Sequence, residues 1–329
     1  MIIRREKQLS PVTDEVTSII AVIRPILQGL LYALKEEVVI QSGGYENIPL
    51  FMLPRAYRRG DGDCGICFEY AVHDAVRRHD PDVMDRIETA FKLCRMPGTA
   101  TDSILFGAEK SGALQIIDTA MDILTDDSRI LTGQRQQPLK LKRYVNMLSA
   151  AFRRQSARNR LPQSISGLWK ADLFVGNTDS DRWIGATVKI NASALEGARG
   201  LRLGLVPIQQ GKRDAVYRDE SKRLIVCPLP YDKSFMETFY TAWVIVQQFI
   251  DADAHVPKEV ALPTPSHRYV ATLLEERRQF PVVDVIDALA PLAQPELLDT
   301  EQSDAILGDT EKSRLDLTGI VAPLSKAIT

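Results

Sequence analysis

Residues 167–191 read GLWKADLFVGNTDSDRWIGATVKIN, two largely apolar segments on either side of a polar sequence, TDSD, at 178–181. This pattern is typical of a β-hairpin. If the turn is centred on TDSD, Asp172 lies opposite Thr187, because the two positions are symmetric about it. Lys189 is two residues beyond Thr187, so its side chain points to the same face of the strand. The hairpin therefore predicts Asp172 and Lys189 as diagonal neighbours, and a register shift of one residue would separate them.

The elements around the hairpin predict the fold class. Apolar residues recur at helical spacing on both sides of it, and two short apolar strands follow it. The predicted helices cover 16–34, 66–79, 80–94, 144–155, 234–252, 266–278 and 283–292, and the two strands cover 201–208 and 223–230. This order indicates an α/β protein with a central mixed sheet. We expect a helical N-terminal segment (1–60), an α/β core (61–255) and an acidic, helical C-terminal region (256–329).

Composition narrows the class of protein. The 329 residues are 45% hydrophobic and 26% charged, which is ordinary for a globular protein with a large core. The first residues, MIIRREKQLSP, lack the apolar stretch of a secretory signal, and no uncharged apolar run of about 20 residues predicts a membrane span. Four cysteines are too few for a disulfide framework. We therefore expect a cytoplasmic protein with no membrane segment.

The charge is distributed unevenly along the chain. Between Asp127 and Asp172 there is no acidic residue, and ten residues are Lys or Arg. Such a segment is either a solvated helix face or a surface for the phosphate backbone of a nucleic acid. The residues that we expect to contact DNA on the second interpretation are Lys140, Lys142, Arg143, Arg153, Arg154, Arg158 and Arg160.

An aspartate beside a lysine suits one kind of chemistry. Hydrolysis of a phosphodiester with Mg²⁺ needs hard oxygen ligands for the ion and a cation near the attacking water or the phosphate. Asp172 and Lys189 can supply one of each. The alternative is an ordinary hairpin in which the two side chains form a salt bridge.

These residues resemble the motif of the PD-(D/E)xK nuclease superfamily, which has a restriction-endonuclease-like fold, over residues 64–230. The family has an aspartate at the start of one strand and acid-x-Lys on the next, often with a glutamate from an N-terminal helix. Here KAD contains Asp172, TVK contains Lys189, and GICFEYAVHDAV contains Glu69. The sequence departs from the motif at Thr187, which stands in place of the expected acid, and Glu109 is a further candidate acid.

The resemblance implies a DNA endonuclease that depends on Mg²⁺ or Mn²⁺, in a bacterial defence or restriction system. Asp172 and Glu69 would hold the metal ion, and Lys189 would orient the water or stabilise charge on the phosphate. Such enzymes often act as homodimers, and a defence system can supply a partner protein.

Two other functions fit the sequence. A degenerate site would leave a non-catalytic subunit that binds nucleic acid or a partner. The tetrapeptide DGDC, which ends at Cys64, is similar to the nucleophile motif of ovarian-tumour-type cysteine proteases, although Gly65 replaces their usual bulky residue. A cysteine hydrolase also needs a histidine, and His267 is the best placed in chain order. The pair Cys64 and Cys67 could instead bind zinc or act in redox chemistry.

Overall fold

A computed structural model of the chain describes residues 14–57, 63–106, 123–133, 137–209, 211–231, 234–256 and 262–293. Within these residues the chain is a mixed α/β protein, as the sequence predicts. The α-helices are α1 Asp14–Tyr32, α2 Glu36–Gln41, α3 Leu53–Ala56, α4 Asp63–Arg77, α5 Pro81–Cys94, α6 Leu141–Arg153, α7 Gln155–Arg158, α8 Ser234–Asp251, α9 Pro265–Glu276 and α10 Val282–Leu289.

A mixed sheet forms the centre of the molecule. Its strands are β1 Thr101–Leu105, β2 Arg129–Ile130, β3 Leu139–Lys140, β4 Leu173–Asn177, β5 Arg182–Val188, β6 Leu201–Pro207, β7 Tyr217–Asp219 and β8 Leu224–Leu229. They lie in the order β1-β4-β5-β6-β8-β7, and β2 joins β3 to β5. β1, β4 and β5 are antiparallel, whereas β5, β6 and β8 are parallel. The carboxyl ends of the parallel strands therefore lie at one edge of the sheet.

The hairpin has the register that the sequence predicts. β4 and β5 are antiparallel, with Leu173 opposite Ala186 and Asn177 opposite Arg182. The same spacing puts Asp172, just before β4, opposite Thr187. The backbone N–H of Asp172 donates to the carbonyl of Ala186 at 2.8 Å. The turn at 178–181 thus fixes which side chains share a face.

Alternation along the strands divides the core into two layers. Leu173, Val175 and Ile184 pack against the layer that contains α1, α4, α5 and α8. Phe174 and Trp183 point to the other face, where α6 packs. Alternation puts Thr187 on the α6 face, whereas Asp172 and Lys189 lie just outside β4 and β5, at the end of the sheet.

The helix α1 is a core element. Pro25 lies inside it, yet one helix continues from Asp14 to Tyr32. Of the helices that the structure describes, α1 alone is long and apolar enough to cross a membrane, but 72% of that stretch is buried inside the protein. The core it enters also contains residues of α4, α8, α9 and α10, so it draws on all three predicted segments of the chain.

The helix α4 begins earlier than the sequence predicts and runs antiparallel to β1. It starts at Asp63, so residues 63–65, which we expected in a loop, form its first turn. Arg77 lies 3.6 Å from Asp102, and His73 lies 3.0 Å from Ser103 further along β1. Glu69, one turn before His73 in α4, therefore lies near the carboxyl end of β1, next to the start of β4.

Candidate functional site

Asp172 is the buried centre of the candidate site. Its side chain is 0% exposed. The Oδ2 atom accepts hydrogen bonds from the hydroxyl of Thr187 at 2.8 Å, from the backbone N–H of Val188 at 2.9 Å and from Lys189 Nζ at 2.8 Å. A buried carboxylate is stable only when its charge and its hydrogen bonds are satisfied. The hairpin supplies all three of these donors from consecutive residues at the end of β5.

Lys189 joins the two predicted carboxylates. Its Nζ lies 2.8 Å from Asp172 Oδ2 and 3.3 Å from Glu69 Oε1. Burial by itself would lower the pKa of Lys189, but the negative charges of Asp172 and Glu69 outweigh it and raise this pKa above 10.5. Lys189 is therefore an ammonium group at neutral pH. It can donate hydrogen bonds and offset negative charge, but it cannot accept a proton.

Glu69 reaches this cluster from a different layer of the protein. The apolar side chains of Phe68 and Val72 hold α4 against the core, and Glu69 lies between them in sequence with its side chain 14% exposed. The Lys189 side chain is 31% exposed, so the cluster meets solvent through the lysine. The structure thus brings together the three residues that the sequence predicts as catalytic, Glu69, Asp172 and Lys189.

Thr187 occupies the position of the expected acid and acts as a hydrogen-bond donor. It is 3% exposed, and its hydroxyl donates to Asp172 instead of presenting an oxygen anion. The third candidate acid, Glu109, lies outside the described residues. Two carboxylates are therefore present at the described site where the family motif predicts three.

The two carboxylates, Asp172 and Glu69, are the candidate ligands for a metal ion. Mg²⁺ is commonly held by one or two carboxylates and completes its shell with water and substrate oxygens. Asp172 and Glu69 contact the same ammonium group, so their oxygens lie within about 6 Å of each other across a position already occupied by a cation. A divalent ion bound by both carboxylates at about 2.1 Å would need their oxygens within about 4.2 Å of each other, with Lys189 moved aside. In the part of the chain that the structure describes, no group of three or more His, Cys, Asp or Glu side chains could hold a metal by itself.

A shallow cleft lies beside the cluster. The backbone N–H of Lys189 donates to the carbonyl of Leu205 on β6. The next residue of β6, Val206, lines a cavity of about 290 Å³. Its apolar lining includes Pro228, and the polar residues at its border include Lys212 and Arg213. In sheets of this kind, ligands bind beyond the carboxyl ends of the parallel strands. The cleft is therefore placed where a substrate of the cluster would lie.

A buried histidine one turn from Glu69 was not identified from the sequence. His73 Nδ1 lies 3.0 Å from the hydroxyl of Ser103, whose side chain is fully buried on β1. Burial, with a smaller contribution from Arg77, lowers the pKa of His73 to about 3. The ring is therefore neutral and holds α4 to β1. Only the spacing of four residues from Glu69 could have indicated it.

The predicted DNA-contacting residues fall into two groups. Arg143, Arg153, Arg154 and Arg160 are exposed along α6 and the residues after it. The others contact the protein itself: Arg158 lies 3.8 Å from the ring centre of Trp169 and donates to the carbonyls of Ala151 and Phe152, while Lys140 and Lys142 each lie 3.9 Å from an aspartate. Arg158 therefore also fixes the turn that leads into Asp172.

The geometry gives no support to a cysteine hydrolase. Cys67, one turn from Cys64, packs on Gly29, near one end of α1. His267 Nε2 lies 3.6 Å from Glu15, near the other end, about 21 Å away along the helix axis. His73 is nine residues from Cys64 on α4, a rise of about 13 Å. Neither histidine can reach the Cys64 thiol.

Comparisons with protein-family models, with curated proteins and with solved structures found no match to this chain. The geometry of the site is therefore the basis on which a function is proposed.

Proposed function

We propose that this protein is a DNA endonuclease that depends on Mg²⁺ or Mn²⁺. The observation that carries the proposal is the meeting of Glu69, Asp172 and Lys189 within hydrogen-bond distance, although Glu69 and Lys189 are 120 residues apart in the chain. The central mixed sheet with helices on both faces is compatible with a restriction-endonuclease-like fold, which the motif resembles. The solvent-exposed part of Lys189 gives a phosphodiester a route to the cluster.

Each residue has a distinct role in this proposal. Asp172 and Glu69 hold the metal ion, and Thr187 fixes the orientation of Asp172 through its hydroxyl. When bound, a divalent ion offsets charge on the phosphate and makes a coordinated water more acidic. Lys189, protonated at neutral pH because of its raised pKa, orients that water or stabilises the negative charge that develops on the phosphate.

The exposed arginines of the basic segment supply the contact with DNA. Arg153 ends α6, Arg154 and Arg160 follow it, and this end of the helix packs near the turn before Asp172. Contacts with the phosphate backbone need only exposed cations and give binding without sequence preference. The family resemblance places the reaction in bacterial restriction or defence, where a homodimer or a partner protein would allow both strands to be cut.

A second function is favoured by the state of the cluster. Asp172 is 0% exposed, Thr187 replaces the acid, and the ammonium group of Lys189 lies between the two carboxylates. A degenerate nuclease fold that binds nucleic acid or a partner without cutting would have these features, since an ammonium group already pairs with both carboxylates without a metal.

Cleavage of plasmid and linear DNA with Mg²⁺ or Mn²⁺, with a gel-shift assay in EDTA on the same samples, separates the two functions. We would compare the wild type with Glu69→Gln and Lys189→Ala. Lys170→Ala is the matched control, because Lys170 is an exposed lysine paired with Glu196 only two residues before Asp172. The nuclease proposal expects metal-dependent cutting that falls at least about 100-fold in both site variants and stays unchanged in the control.

The other outcomes are equally informative. DNA binding without cutting by a folded wild-type protein would favour the non-catalytic function. Absence of both binding and cutting would reject the nuclease and the nucleic-acid-binding form of the second function. Cutting that survives Glu69→Gln and Lys189→Ala would place the active site elsewhere.

A further inference from the structure

A second cavity lies near the beginning of the parallel strands, away from the candidate catalytic cluster. It has a volume of about 710 Å³ and is enclosed by three segments, 132–133, 195–202 and 221–223. Leu201, at the start of β6, lines it, whereas Lys189 pairs with Leu205 on the same strand. Four residues of strand separate these positions, about 13 Å. The cavity is therefore distinct from the cleft beside Lys189.

The charge of this cavity is strongly positive. Its lining includes four cations and one acid, Glu196, whose carboxylate lies 3.1 Å from Lys170. The carboxylate of nearby Asp219 accepts a hydrogen bond from the hydroxyl of Ser221 at 2.6 Å. Within the described ranges, no ion pair joins the lining cations to a carboxylate. These cations are Arg199, Arg202, Lys222 and Arg223.

A local irregularity of the sheet directs one of these cations. Leu201 pairs with Gly185 and Leu203 with Ala186, so Arg202 is the extra residue of a β-bulge. A bulge changes the direction of a side chain and is common beside binding sites. The Arg202 guanidinium packs so closely on Gly133 that a Cβ there would lie 1.5 Å from Nη1. Gly133 has φ of +75°, and its missing side chain leaves the space that Arg202 uses.

Two of the segments that line the cavity are in direct contact. A Cβ on Gly197 would lie 2.0 Å from the carbonyl oxygen of Lys222, so the segment before β6 and the turn before β8 touch through their backbones. The positions of the lining cations therefore depend on backbone packing as well as on their flexible side chains. Such a preformed arrangement lowers the entropic cost of binding.

We propose that this cavity binds a small organic polyphosphate of nucleotide size. Four cations around one cavity match a ligand with several negative charges, and arginine pairs with phosphate through two parallel hydrogen bonds. The volume falls within the range of about 300–1,000 Å³ that is usual for small-molecule sites and exceeds what a single phosphate fills. Leu195 and Leu201 line the same cavity and provide an apolar contact for a base or a ribose.

Isothermal titration of the full chain with ATP, inorganic tripolyphosphate and adenosine, in EDTA, tests the proposal without involving the candidate metal site. We expect binding of one ATP per chain, binding of tripolyphosphate, and no binding of adenosine alone. Arg199→Gln and Lys222→Gln should each weaken ATP binding at least about tenfold, because each removes one charge-assisted hydrogen bond. Lys35→Gln removes an exposed cation that does not line the cavity and should leave ATP binding unchanged.

Three results would overturn the proposal. The first is no heat of binding with ATP or tripolyphosphate. The second is an equal loss of affinity in Lys35→Gln. The third is displacement of ATP by duplex DNA together with loss of DNA binding in Arg199→Gln, which would make the cavity part of a nucleic-acid surface. Unchanged thermal midpoints would establish that the variants are folded, and the DNA-cleavage assay remains a separate test of the catalytic cluster.

Discussion

The ion pair between Lys189 and Asp172 should control stability as well as chemistry. Lys189→Met keeps most of the side-chain volume but removes the ammonium group from the fully buried Asp172 carboxylate, which also accepts from Thr187 and from the backbone N–H of Val188. Removing one partner of a buried pair typically costs about 3–5 kcal/mol, because the other charge stays buried and unpaired. Lys189 is 31% exposed, so water offsets part of this, and we expect about 2–3 kcal/mol.

Urea denaturation at pH 7 measures this cost. Lys170→Met is the matched control, since it removes the same charge from an exposed pair and should cost no more than about 1 kcal/mol. The double variant Lys189→Met with Asp172→Asn should recover most of the loss, because the buried carboxylate is removed together with the lysine. A loss no larger than that of Lys170→Met would refute the reasoning that Asp172 depends on Lys189.

Three further predictions follow from single contacts. Thr187→Val removes the hydroxyl that donates to Asp172 and should cost about 1–2 kcal/mol in urea denaturation, whereas a change below about 0.3 kcal/mol would show that water replaces the hydroxyl. His73 is neutral when folded, with a pKa of about 3 instead of 6.5, so the unfolded chain binds the extra proton and stability should fall by up to about 1.4 kcal/mol per unit as pH drops below 6.5. His73→Gln should flatten this slope, and an unchanged slope would assign it to other groups. Arg158→Ala loses its contact with Trp169 and two hydrogen bonds, so it should lower the thermal midpoint by several degrees, while Arg154→Ala should lower DNA affinity and leave the midpoint unchanged.

The hairpin was predictable because its register depends on local information. The polar turn at 178–181 determines that Asp172 faces Thr187, because it sets the register of the two strands that it joins. Glu69 was found from a motif and not from spacing, since nothing local indicates which helix will pack across the end of the sheet.

Other features depend on contacts that a sequence pattern does not encode. Arg158 was expected to contact phosphate, but its guanidinium lies on Trp169, eleven residues further along the chain, after a turn that no pattern specifies. Arg202 looks like any strand residue, because a bulge is defined by the partner strand. His73 and Ser103 come from different elements, and their pairing depends on the direction in which α4 crosses β1.

The long connection between Glu69 and Lys189 also has a consequence for the order of folding. The β4–β5 hairpin closes through a short turn, so Asp172 and Lys189 can meet early, on the microsecond scale typical of hairpins. The contact between Glu69 and Lys189 closes a loop of 120 residues, and packing of α4 on the core must offset the chain entropy that this closure costs. We therefore expect Lys189 to pair with Asp172 before it pairs with Glu69. Local opening of α4 would separate Glu69 from Lys189 while the hairpin stays formed. The candidate site can lose its function by this route while most of the sheet remains folded.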